Sequence, residues 1–489
     1  MPPEAQNNGG LNTPDKPNLL KTVHDLNRKW WVLVAVGAGT FMTALDTSVV
    51  NTILPIIRDD FQTDVAAVEW VVVIYLLLVS GLLPIFGRLG DIRGHKQIYN
   101  TGFLVFILSS LFCGLSTSIF QLIGFRALQA LGAAMLASNS PAILTKSFPS
   151  SQRGQALGLQ ATMTYLGLVT GPSLGGWLAE QIGWRSVFYI NIPVGMFALA
   201  FSIIFIIKDV LKKSDEGFDV LGAAVFMGGL ISLLLGLNQG HNWGWRSPLT
   251  LLTLLSSAIL LGLFIKIEKA VPYPMLDMKL FKHRLFTASI SSAVINYICV
   301  YSIIFLMPFY LIQGRGLNPS QAGVILTAQP IVMAIIAPIS GTLSDRMGTR
   351  LPTIIGMVLL SGGIWTLSRL GSETPFNMVF LSLAFVGLGV GIFISPNNSA
   401  LMGSASVHRQ GIAAGILATA RNVGMVLGVG FSGAIFTTVL AQGQTDTLEL
   451  VFLATQKSFR AAFLIALLGI ATATIRGNDN YDPTLAQKL

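Results

Sequence analysis

Three charged side chains stand where a charge is costly: Asp46, Arg126 and Arg421 each lie inside a long apolar run. Among the 22 acidic residues, Asp46 alone is more than about two helical turns from the end of its run; Glu69, Glu180 and Asp219 sit at run ends. A carboxylate in hydrocarbon costs several kcal/mol unless a proton or a cation neutralises it. Proton occupancy at such a group follows its surroundings, which is the chemistry of a proton carrier. A static Asp–Arg pair, or a cap at a helix break, is the plainer alternative. Arg126 is the natural partner. Asp46 precedes Pro55, near the outer end of its run, by about 13 Å at helical rise, and Arg126 lies about 10 Å into its own run from the same side. An arginine stays charged at physiological pH, so it biases a carboxylate without titrating; bound only to backbone carbonyls, it would be structural. Arg421 has no acid at its depth, and either faces an anionic group of a ligand or is satisfied by carbonyls. Asn51, Gln129, Gln160, Asn296, Tyr297, Tyr301, Gln329, Asn397 and Asn398 are polar groups inside runs and candidate cavity lining, each equally able to serve as an interhelical hydrogen bond.

The elements that must position these groups are legible from composition. Of 489 residues only 53 are charged, 11 % against roughly 25 % in a soluble protein. Hydrophobic residues make up 52 %, and mean hydropathy is +0.67. A soluble enzyme, a disordered chain and a nucleic-acid-binding protein are excluded, despite a net charge of +9. Cys113 and Cys299 lie in apolar runs, so neither a disulfide framework nor a thiolate metal site is implied. The five histidines are scattered over loops and tails without metal-ligand spacing, and no Gly-Lys dipeptide exists for a phosphate-binding loop. A membrane enzyme or an ATP-driven pump is therefore disfavoured; no metal and no cofactor is expected.

A spanning helix needs about 20 apolar residues. Fourteen runs qualify, at about 30–54, 68–87, 98–117, 119–145, 156–180, 186–207, 220–238, 249–267, 286–312, 320–343, 353–370, 375–401, 411–440 and 458–476. The expected fold class is thus an all-α integral membrane protein. Residues 1–29, rich in Asn and Pro, are expected to be disordered and lack the layout of a cleaved signal peptide. With the N-terminus cytoplasmic, inner segments collect 22 of the 31 Lys and Arg, and outer segments seven, among them Lys457 and Arg460. That asymmetry places both termini in the cytoplasm.

The loop after the second run reads Gly87-Arg-Leu89-Gly-Asp91-Ile-Arg93-Gly94-His-Lys96. The loop after the tenth reads Gly341-Thr-Leu343-Ser-Asp345-Arg346-Met-Gly348-Thr-Arg350, the same pattern 254 residues later. Arg153-Gly154 is echoed more weakly by Arg409-Gln-Gly411. Internal duplication is the common plan of secondary transporters, with the binding site between the repeats. The repeated loops are eight runs apart, so two helices are inserted between six-helix halves. The expected organisation is 30–207, inserted helices 220–267, and 286–476, flanked by cytoplasmic segments 1–29 and 477–489.

These motifs resemble the major facilitator superfamily, and within it the fourteen-helix drug:proton antiporter family, over residues 30–476. The Gly87–Lys96 loop is similar to the superfamily signature, with Ile92 where Arg is usual. The resemblance implies a cytoplasmic gating latch built from Gly87, Asp91, Arg93 and Gly94, and from Asp345, Arg346 and Gly348 in the second half. Leu45-Asp46-Thr-Ser48-Val-Val-Asn51-Thr-Ile-Leu54-Pro55 resembles the family's first-helix signature, with Ser48 for Thr and Ile53 for Ala. Arg126-Ala-Leu-Gln129-Ala130-Leu-Gly132 resembles the buried-arginine motif, with Ala130 for Gly. Gly167-Leu-Val-Thr-Gly171-Pro172-Ser-Leu-Gly175-Gly176 matches the exporter signature of the fifth helix. Its glycines also fit close helix packing without help from function. Ser395-Pro396-Asn397-Asn398 and Arg421-Asn422-Val-Gly424 are similar to second-half features of the same branch.

What the resemblance implies is an exporter of hydrophobic or amphipathic small molecules that works by alternating access, with Asp46 and Arg126 coupling it to the proton gradient as its energy source. A second expectation keeps the fold and exports an endogenous glycolipid, lipid-linked sugar or secondary metabolite. The expected partners are the lipid bilayer, protons and a small amphipathic substrate, with no nucleic acid. A monomer in a bacterial cytoplasmic membrane is expected.

Overall fold

In hydrocarbon every backbone N–H and C=O must find its partner within the chain, so spanning segments become helices. The computed structural model describes residues 19–149, 152–207, 219–271, 280–404, 410–441 and 447–476, and among them there is no strand. The helices run α1 (Leu19–Asp60), α2 (Val65–Arg93), α3 (His95–Gly114), α4 (Ile119–Ser147), α5 (Arg153–Gln181), α6 (Ser186–Tyr189), α7 (Asn191–Phe205), α8 (Val220–Trp243) and α9 (Pro248–Ala270). They continue with α10 (Arg284–Pro308), α11 (Pro319–Leu326), α12 (Ala328–Met347), α13 (Arg350–Leu367), α14 (Phe376–Gly403), α15 (Gln410–Ala441) and α16 (Thr447–Ile475). After Pro308, α10 passes into a π-helical stretch, Phe309–Gly314.

Twelve helices among the described residues are long and apolar enough to cross a membrane. Two of the fourteen expected runs fall outside that set. Helix α8 runs Val220–Trp243, and within it Leu221–Leu237 is a continuous apolar stretch. Helix α5 is diluted by Gln155, Gln160, Thr162 and Thr164. Leu251, Leu255 and Ile259 of α9 are exposed, an apolar surface suited to lipid and costly in water.

The boundaries correct three expectations. Residues 1–18 and 477–489 lie outside the described set, but α1 begins at Leu19, so the end of the expected disordered segment is helical. From Leu19 to Trp31 no Gly or Pro interrupts, and apolar residues recur at helical spacing. Helix α16 starts at Thr447, well before the run at 458, and places Lys457 and Arg460 on its exposed face and not in a loop. Val451, Phe452 and Ala454 are buried on its other side, and long basic side chains tolerate such a position by snorkelling. The sixth run splits at Ile190, because Pro193 has no N–H for the Tyr189 carbonyl.

The packing pattern maps onto itself. In the first half α1 packs on α5 and α7, α2 on α4, and α3 on α4; in the second, α10 packs on α15 and α16, α12 on α14, and α13 on α14. Across the halves α5 packs on α11 and α15 on α2. The extra pair α8 and α9 lean on one another, and α8 touches both halves through α2 and α15. The repeated loops end alike, in Gly94 (φ 97°) and Gly348 (φ 80°), left-handed turns that favour glycine.

One end of the bundle is sealed. A Cβ on Gly176 would run into the Pro319 carbonyl oxygen, and one on Gly323 into that of Pro172. The Ser173 and Thr327 hydroxyls are 2.7 Å apart, and the Ser320 N–H donates to Glu180 Oε2 at 3.1 Å.

Candidate functional site

Asp46 and Arg126 meet in the core of the first half. Arg126 Nη1 donates to Asp46 Oδ2 at 2.6 Å, and each residue is 1 % exposed. Asp46 Oδ1 also accepts from Gln129 Nε2 at 3.0 Å and from Asn191 Nδ2 at 2.7 Å. Arg126 Nε donates to the Val71 carbonyl at 3.1 Å, and Nη1 to Gln129 Oε1 at 2.5 Å. Gln129 Nε2 reaches Ser110 Oγ at 2.7 Å. Four helices of this half (α1, α3, α4 and α7) thus contribute side chains to one carboxylate and its partners. Charge-assisted hydrogen bonds of this kind offset much of the desolvation that burying the pair demands.

Beside the ion pair, between the halves, lies a cavity of about 560 Å³. It runs from Asn51, Pro172 and Leu326 near the sealed end towards Leu83, Pro141 and Leu157 at the other. Asn51, Gln160, Tyr297, Tyr301, Gln329 and Arg421 line it as expected from the sequence, together with Asn398. Tyr75 and Tyr165 line it too, and Asp46 and Arg126 do not. Tyr75 joins the two regions, with its ring 4.1 Å from the Arg126 guanidinium. Arg421 is exposed to the cavity and, among the described residues, makes no hydrogen bond or ion pair.

Three expected lining residues face elsewhere. Gln129 is turned into the Asp46 cluster. Asn296 is buried between α10 and α13, 3.7 Å from Met357 Sδ. Asn397 is buried and donates to the Ser289 carbonyl at 3.1 Å, while its neighbour Asn398 faces the cavity. About 100° of helix rotation separates adjacent residues, so one position decides between cavity and core.

In the repeated loop, Asp91 is half-exposed and contacts Arg88 Nη1 at 3.7 Å and His95 Nε2 at 3.3 Å. Arg93 is exposed and not the cation at Asp91. Three residues back on the helix shares a face with Asp91, and two residues forward does not. Gly87 is in loose contact with Ser138, and Gly94 ends α2. Arg346 is exposed, Gly348 ends α12, and the Asp345 side chain and Arg409 lie outside the described residues. The exporter-signature glycines pack closely: Gly167 on the Phe41 carbonyl, Gly171 on Ser48 and Gly175 on Val49, all from α1, and Gly176 on α11.

Asn191, Ser110, Tyr75, Tyr165 and Glu69 were not singled out from sequence for the positions they occupy. Glu69 stands near the start of α2, the helix end that the sequence indicates, and is 1 % exposed, with its carboxylate against Gly433 of α15. The available signal for Asn191 was its place as a polar residue in an apolar stretch before Pro193.

A family model described as Major Facilitator Superfamily matches residues 36–429 and 289–476. The chain is 32 % identical over 447 residues to the riboflavin transporter RibZ of Clostridioides difficile, covering 91 % of this chain and 97 % of that one. It is 31 % identical to the multidrug resistance protein Stp of Mycobacterium tuberculosis, over 85 % and 77 % of the two chains. It is 29 % identical to the tetracenomycin C resistance and export protein of Streptomyces glaucescens, over 83 % and 76 %. The fold is similar to a crystal structure of a bacterial homologue of the human lysosomal transporter Spinster, inward-facing and unoccupied (TM-score 0.65, 16 % identity, 92 % and 97 % coverage). It is also similar to a peptide transporter crystallised with sulfate (TM-score 0.67, 15 % identity, 91 % and 95 % coverage). Two repeated halves around a central cavity, a family match along most of the length and relatives of nearly equal extent lead to one assignment: this chain belongs to the Major Facilitator Superfamily of membrane transporters.

Proposed function

We propose that this transporter exports amphipathic small molecules in exchange for protons, by alternating access. The observation that carries the reading is a buried carboxylate–guanidinium pair separated from the cavity by one tyrosine ring, Tyr75. Protonating Asp46 removes the anion from the pair and leaves Arg126 with the Val71 carbonyl, Gln129 and the Tyr75 ring. A shift of the guanidinium then moves a cavity wall, which links proton occupancy to cargo. Both termini are assigned to the cytoplasm on the basic-residue asymmetry, with fourteen spans and a monomer in a bacterial cytoplasmic membrane. In that orientation the sealed end faces outward and the cavity opens inward. Gly87, Asp91 and Gly94 of one half, and Asp345, Arg346 and Gly348 of the other, would then form the latch that engages when the cavity turns outward. The name of the Streptomyces relative supports export, and that of the Mycobacterium relative supports drugs as cargo.

A second reading, export of one endogenous metabolite, is favoured by the riboflavin transporter among the relatives and by the hydroxyl- and amide-rich lining. Proteoliposomes with an imposed pH gradient, offered riboflavin and a panel of hydrophobic fluorescent dyes, separate the two. Asp46→Asn is expected to abolish gradient-driven transport while the protein stays folded. Undiminished transport by that variant would overturn the coupling, and transport of riboflavin alone would favour the second reading.

A further inference from the structure

We infer that the cavity takes aromatic anions, with the Arg421 guanidinium receiving the anionic group, and that it rejects lipophilic cations. This rests on the exporter reading for its cargo direction, and on the cavity alone for its charge preference.

Arg421 is the one charged residue in the lining among the described residues. The nearest candidate counter-ion cannot serve it: Asp46 lies outside the lining, with both carboxylate oxygens taken by Arg126, Gln129 and Asn191. Nor does fold symmetry demand a charge at this place. Gly167 and Gly171 of α5 pack on α1 as Gly424 and Gly428 of α15 pack on α10, 257 residues later. That register sets Arg421 opposite Thr164, which also lines the cavity. The first half therefore fills the matched position with an uncharged hydroxyl.

While the cavity is open, water solvates the guanidinium. Alternating access closes the cavity around cargo, and the charge then needs a partner that the described residues do not supply. An anion on the cargo supplies it, through the two parallel hydrogen bonds that a planar guanidinium offers a carboxylate. A cationic cargo would bring a second positive charge into a space of low dielectric. The remaining lining suits a flat ring system. Tyr297 and Tyr301 of α10 and Tyr165 of α5 offer aromatic faces, and Ile304, Met333 and Met425 offer apolar surface.

Two dyes with the same xanthene ring system and opposite charge, fluorescein and rhodamine 6G, test this. Binding to the purified protein in detergent is read by fluorescence polarisation without any gradient. The wild type is expected to bind fluorescein at least about tenfold more tightly than rhodamine 6G, the worth of one charged hydrogen bond. Arg421→Gln should lose that preference, and Arg421→Lys should keep part of it. Tighter binding of rhodamine 6G by the wild type, no binding of either dye, or unchanged fluorescein binding by a folded Arg421→Gln would each overturn the assignment. If Arg421→Gln fails to fold, Arg421→Lys and the contrast between dyes in the wild type decide. Gradient-driven transport is then measured in proteoliposomes. Fluorescein that binds but is not driven by the pH gradient would sink the exporter reading and leave the anion site standing.

Discussion

The two halves share a scaffold and differ in where they hold charge. Helices α3 and α4 cross where Gly102 meets Gly132, and α13 and α14 cross where Gly356 meets Gly389. Counting six residues back from each second glycine gives Arg126 in the first half and Leu383 in the second; counting three back gives Gln129 and Val386. All four are buried. The first half thus hides its charges in a closed hydrogen-bonded cluster, and the second fills the same place with hydrocarbon and turns its cation, Arg421, into the cavity. The contacts that seal the halves diverge in the same way. On one side Gly176 and Gly323 meet backbone carbonyls, and on the other Gly433 meets the Glu69 carboxylate. Duplication preserves backbone geometry because two helices must fit; it leaves side chains free to specialise, so mechanism follows from the asymmetries.

The largest test of this contrast is Arg126→Leu against Leu383→Met. Removing the guanidinium strands a buried carboxylate, and about 3–5 kcal/mol of stability should be lost. The conservative swap in the matched position should cost under about 1.5 kcal/mol. Denaturant titration in detergent measures both, and equal losses would break the comparison. Next come the seals. Gly176→Ala and Gly323→Ala drive a methyl into backbone and should weaken the sealed state by about 1–3 kcal/mol, the usual price of overpacking. Gly433→Ala should weaken it less, because a side-chain carboxylate can swing aside. Labelling of Ser173→Cys by a membrane-impermeant maleimide reports opening, and a larger effect from Gly433→Ala would reverse the assignment. The smallest effect is expected from Tyr75→Leu, which removes a cation–π contact worth roughly 0.5–2 kcal/mol. Tyr75→Phe should keep it. A double-mutant cycle of Tyr75→Leu with Arg126→Leu is the measurement, and full additivity would show that the ring does not sense the guanidinium.

Much of this was legible from the chain. Asp46 and Arg126 stood out because a charge in an apolar run is rare, and their depths matched. Small polar residues are common in membrane helices, so Ser110 has nothing to distinguish it from a packing group, and Asn191 has only its place before Pro193 in an apolar stretch. Hydropathy finds a helix but not its rotation, which is why Gln129, Asn296, Asn397 and Asn398 are all cavity candidates by sequence while only Asn398 of the four lines the cavity. Glu69 does sit at a helix end, as its place in the sequence indicates; what the sequence does not show is its burial. Its distance from the end of a run is short, but α15 covers that end, and burial by a neighbouring helix is a tertiary fact. The early start of α16 was masked by Glu449, Lys457 and Arg460, which lower the average of a stretch whose inner face is apolar.

The solitary guanidinium in the cavity also has an electrical meaning. When a monoanion leaves the cell as one proton enters, two positive charges move inward, and a membrane voltage that is negative inside drives both. Each charge contributes about 2.3 kcal/mol per 100 mV. A neutral cargo would move one charge and a monovalent cation none. Through the cargo it selects, Arg421 would set how far the exchange responds to voltage as well as to acidity, and a potassium–valinomycin potential imposed without a pH gradient would make fluorescein move while a one-for-one cation exchange stood still.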